Sequence, residues 1–171
     1  MGDSERNEQE VDQENIPDIG EFGRVEKLLI SARKERDEIS KEVKKKYPGV
    51  RLFSLITPYS GVFIVRAQDV ADIKASTKAV DTFIEEEIQK EGGREKLAAM
   101  TEIEKAPTIQ RINAEASDIS NDVALSRCVV YPYDFAERIK TGVGIPAGTY
   151  PLLIEKIYEV SGWQDVEVEE I

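Results

Sequence analysis

The segment RLFSLITPYSGVFIVR, Arg51 to Arg66, constrains the fold of this chain more than any other. Two runs of alternating, β-branched and aromatic residues flank TPYSG, which supplies turn chemistry, so the segment reads as an antiparallel β-hairpin. Two strands alone are marginally stable in water. The hairpin must therefore pack on helices or be completed by another strand, and an unpaired edge could receive a partner's strand.

The flanking sequence supplies helices. From Arg24 to Lys46, Val25, Leu28, Leu29, Ala32, Ile39 and Val43 recur at helical spacing, interrupted by Arg36, and Pro48 and Gly49 stop the run. The basic end, Lys44 to Lys46, suits the negative end of a helix dipole. Beyond the hairpin, Asp69 is an N-cap candidate with Asp72 three positions on, opening a helix that runs to about Glu91 and stops at Gly92 and Gly93. Glu85, Glu86 and Glu87 splay around that helix and read as a solvated acidic face.

A shorter helix is expected from Arg94 to Lys105, broken near Pro107, and another from Ile109 through Val123 toward Cys128, Val129 and Val130. YPYDF, Tyr131 to Phe135, marks a break before a short helical turn through Ile139 and Lys140. In GIPAGTYPLLIEKIYEVSGW, Thr149 is the expected N-cap, Pro151 lies in the first turn and Gly162 takes the C′ position. Trp163 is placed to fold over the last turn. The expected class is α+β, mostly α-helical with one small antiparallel β-hairpin. The expected organisation is a disordered acidic arm over 1–22, a single helical domain over 23–163 with its hairpin at 51–66, and an acidic tail over 164–171.

Composition narrows the chemistry. The chain of 171 residues carries a formal net charge of −11 and no histidine. The charge opposes binding to nucleic acid or to an anionic membrane, and no apolar run approaches the length of a membrane span. The acidic start has neither the basic nor the apolar region of a signal peptide, so the protein is expected to be intracellular when made, and the lone Cys128 agrees with a reducing compartment. Without histidine there is no His-based triad or HExxH zinc site. GVGIPAG resembles a phosphate loop only superficially, because Pro146 removes an amide a phosphate would need. No cofactor, metal site or enzymatic activity is expected.

What the sequence does concentrate is aromatic and proline residues late in the chain. Tyr131, Pro132, Tyr133, Ile145, Pro146, Tyr150 and Trp163 are the candidate partner-binding residues, because such side chains anchor protein interfaces. Each could equally build local core and turns.

Two blocks resemble a known family. KKKYPGVRLFSLITPYSGVFIVRAQDVADIK resembles the hairpin-then-helix block of tail assembly chaperones of tailed bacteriophages. SRCVVYP followed by IPAGTYPLLIEKIYEVSGW is similar to their C-terminal block, a Cys-Val-x-x-Pro run, a loop, and a short helix closing on Ser-Gly-aromatic. The resemblance implies a non-enzymatic protein in the cytoplasm of an infected bacterium, binding the tape-measure or tube protein during morphogenesis. The alternative is a structural virion component of the baseplate or neck. Self-association into a homo-oligomer stays open in either case.

Overall fold

The computed structural model describes residues 21–57 and 60–162. The arm expected over 1–22 lies almost wholly outside these, as do Pro58 and Tyr59 of the turn, Trp163 and the tail over 164–171. Helix α1 (Glu21–Lys46) leads into strands β1 (Leu52–Thr57) and β2 (Gly61–Arg66), followed by helices α2 (Val70–Lys90), α3 (Gly93–Ala99) and α4 (Glu102–Cys128). Strand β3 (Val129–Tyr131) then precedes α5 (Phe135–Thr141) and α6 (Thr149–Val160). The fold is α+β and mostly helical.

The hairpin forms with Leu52 opposite Arg66 and Thr57 opposite Gly61. Gly61 has φ +80°, a left-handed conformation that glycine adopts without a steric penalty. A third strand joins the hairpin: β3 pairs antiparallel with β2, so the order is β1-β2-β3. This corrects the expectation that Val129 and Val130 continue the preceding helix. The apolar pattern crosses the junction unbroken, but the helix ends at Cys128 and Val129 takes extended backbone. Pairing with β2 then overrides the local pattern.

Alternation along the strands sends side chains to opposite faces. Phe63, Val65 and Val129 pack with Leu125 and Cys128 of α4, Phe135 of α5, and Leu153 and Ile157 of α6. Val62, Ile64 and Val130 pack with Ala32, Ile39 and Val43 of α1. The body is thus three layers, with α1 on one face of the sheet and α4, α5 and α6 on the other.

Helix α2 lies mainly along α4, joined to it through α3, and the two run antiparallel as a helical arm. Ser76 bonds Ser120 at 2.8 Å near the body, and farther out Arg111 donates to Glu87 at 2.7 Å. Glu87 is therefore buried against α4, which corrects its expected place on a solvated face; Lys90 and Arg111 hold its carboxyl below the usual range. Pro107 also departs from expectation. Instead of breaking a helix it sits inside α4, whose start is fixed by a capping box between Thr101 and Glu104. The interruption lies earlier, where Met100 is extended.

Candidate functional site

The densest constellation of chemical groups forms where β2, α2 and α4 meet. Asp72 is completely buried. It occupies the third position of α2 because Asp69 caps that helix: the Asp72 amide donates to Asp69 Oδ1, and the Asp69 amide donates back to Asp72 Oδ2, each at 2.9 Å. From the end of β2, Arg66 donates two bonds, Nη1 to Oδ2 at 2.6 Å and Nη2 to Oδ1 at 2.9 Å. From the end of α4, Arg127 Nε donates to Oδ1 at 2.7 Å, and the Cys128 thiol lies 3.7 Å from Oδ2. One carboxylate thereby ties three elements together.

The electrostatics follow from this geometry. Burial pushes the Asp72 pKa up, but hydrogen bonds from Arg66, the Asp69 amide and Arg127 overcome that push and hold the carboxyl well below its ordinary range. Arg66 is raised in turn, chiefly by its bond to Asp72. Burial first, and then the Asp72 charge, push the Cys128 thiol up to about 12. Asp72 is held ionised with its lone pairs engaged, which leaves no free base, and Cys128 is a buried thiol without thiolate character. Arg127 is the most exposed of the four and lines an open cavity of about 500 Å³ with Asp122, Ser126 and Lys140. Among the described residues no group of acids and cysteine could hold a metal ion, and no helix is long and apolar enough to cross a membrane.

The candidate partner-binding residues do not converge on one surface. Tyr131 packs on the α1 side of the sheet, with the Tyr133 ring edge-on at 5.5 Å. Tyr133 is exposed, donates from its hydroxyl to Glu42 at 3.0 Å, and has Lys46 Nζ 3.8 Å from its ring centre. Pro132 lies between them after a cis peptide bond. Ile145 and Tyr150 belong to the opposite layer, packed against the core under α4 and α6. The Tyr150 hydroxyl donates to Asp122 at 2.8 Å, and its pKa is raised first by burial and then by that bond. Pro146 is exposed in the loop before α6, and Trp163 lies outside the described residues.

Thr149 is not the cap of α6, as the sequence suggested. Gly148 takes that position, and Thr149 is buried as the first helical residue, its hydroxyl 2.8 Å from that of Ser60 in the hairpin turn. At the other end, the Gln68 amide donates to Ser161 Oγ at 2.9 Å. Sequence reasoning found Asp72 as a capping residue but missed its larger role. Its only local signal was the Asp69–Asp72 spacing, whereas Arg127 and Cys128 come from the end of α4 that adjoins the sheet, distant from Asp72 in sequence.

No protein-family model, curated protein or solved structure matches this chain.

Proposed function

We propose that this chain is a non-enzymatic binding protein, and that it serves as a tail assembly chaperone of a tailed bacteriophage, holding the tape-measure or tube protein until the tail is built. The observation that carries the reading is the Asp72 node. It joins Arg66 and Asp72 of one family-like block to Arg127 and Cys128 of the other, so the two blocks that resemble tail assembly chaperones act as one packed unit. The same node supports a binding role over a catalytic one, because its carboxylate is saturated by donors and its thiol is deeply protonated.

The surfaces left for a partner fit such a role. The helical arm carries Ile103, 87% exposed, near its far end, and α1 presents Leu28 and Ile30 to solvent. The chain as a whole carries a net charge of −11, which opposes its self-aggregation. The test is co-expression with the tape-measure protein of the same phage. A chaperone keeps that helix-rich partner in the supernatant and elutes with it as one species. Precipitation of the partner irrespective of this chain refutes the reading.

A further inference from the structure

The sheet has two edges, and they differ. The β3 edge is three residues long and runs into Pro132, two features that keep an edge from pairing with another strand. Strand β1 has neither protection. Its six residues, LFSLIT, include no charge and no proline, and they pair with β2 from Leu52 through Thr57 without a bulge. Among the described residues, the outer side of β1 pairs with no other strand.

The helices above and below leave that edge open. Helix α1 contacts β1 and β2 on one face, and α6 contacts both on the other. Yet Ser54, in the middle of β1, is exposed, and Leu52, Phe53, Leu55 and Ile56 around it are only half-buried. Leu52 and Ile56 lie on the α1 face, Phe53 and Leu55 on the α6 face. Each face of β1 therefore keeps apolar surface that a strand beyond the edge would cover.

The order of these residues selects the neighbour. Leu52, Phe53, Ser54, Leu55 and Ile56 give nearly the same pattern read in either direction from Ser54. Antiparallel pairing of two copies about that residue sets Ser54 against Ser54, Phe53 against Leu55 and Leu52 against Ile56, the members of each pair on one face. Apolar side chains meet apolar side chains, and the smallest side chain sits on the axis. Arg51 falls opposite Thr57, so the register opposes no like charges. The axis stands perpendicular to the sheet and brings α1 beside α1 and α6 beside α6, each over its own strands. The net charge of −11 repels two copies at a distance, but the seam is uncharged and physiological salt screens the repulsion beyond about 8 Å.

We propose that two copies of this chain associate through the outer edge of β1, antiparallel about Ser54, and join their sheets into one. The contact uses the same patch on both copies and closes at the dimer.

Sedimentation equilibrium of the full chain, from micromolar to near-millimolar concentration, tests this. The mass should rise with concentration to twice that of the chain and stop there. Ser54→Lys puts like charges opposite each other at the axis and should weaken association at least about fivefold. Because Ser54 is exposed, the melting curve of the dilute variant should match that of the unaltered chain. Crosslinking reads the register without adding charge. Cys128, the sole cysteine, is fully buried, so Ser54→Cys supplies one accessible thiol per copy, and a short bismaleimide should join two copies through it. Arg51→Cys sets its two thiols roughly 20 Å apart along the paired strands and should give no such product. A chain that stays monomeric throughout, a dimer that Ser54→Lys leaves intact, or crosslinking through Arg51→Cys as readily as through Ser54→Cys overturns the proposal. Assembly that continues past the dimer also overturns it, because a twofold pair of β1 edges closes on itself.

Discussion

Replacing Asp72 by Asn tests the node directly. Asn is nearly isosteric and keeps one acceptor oxygen, but it removes the charge that Arg66 and Arg127 address. Arg66, its side chain only 17% exposed, is left without its neutralising partner in a largely desolvated site. Removing one partner of a buried ion pair costs about 3–5 kcal/mol. Arg127 is 42% exposed and recovers water on losing its bond, which places the expected cost near the lower figure, ~3 kcal/mol. For a chain of this size each kcal/mol lowers the melting temperature by about 2–4 °C, so the expected drop is about 6–12 °C at neutral pH. Circular dichroism melts and urea titrations read both quantities.

The pH dependence supplies a second check. The folded-state pKa of Asp72 lies below its unfolded value, so its stabilising contribution is complete above the unfolded pKa, about 3.9, and declines as pH falls toward the folded pKa. The stability gap between the unaltered protein and Asp72→Asn should therefore be constant from neutrality to about pH 5 and narrow below about pH 4. A variant melting within about 2 °C of the unaltered protein at pH 7 would refute the account of this node, as would a gap that widens in acid.

The same geometry sets further expectations. Cys128 should resist alkylation at pH 8 in the folded protein and react once urea unfolds it; because its folded pKa is raised, stability should also begin to fall as pH rises past the ordinary thiol value of about 8.5. Leu125→Ala, at a fully buried position between α4 and the sheet, should cost about 2–5 kcal/mol in urea unfolding. Tyr133→Ala, at an exposed ring, should change the melting temperature little yet weaken partner binding in a co-elution assay; a large loss of stability without loss of binding would make this residue structural.

Much of this architecture is written locally in the sequence. The hairpin, the stripe of α1, the Asp69 cap and the glycine stop of α6 each depend on residues within a few positions, where sterics and hydrogen bonding act without tertiary help. Strand β3 was hidden because Val129 and Val130 fit the preceding helical period, and only the open edge of β2 gives them a better place. Pro107 looked like a break, but α4 is held by its Thr101 cap on one side and by contacts with α2 on the other. The late aromatic residues looked like one patch because they are neighbours in sequence. In space the sheet divides Tyr131 and Tyr133 from Ile145 and Tyr150. The Asp72 node escaped notice because Arg66 and Arg127 are each ordinary at the end of an element, and only the folded chain brings them together.

The proposed role in tail assembly is tested most directly by quantitative mass spectrometry of one infected culture, comparing complexes in the lysate with finished particles. The chain should accompany tape-measure or tube protein in the lysate and be missing from the particles. A fixed number of copies in every particle would contradict the chaperone role and make the chain a structural part of the virion.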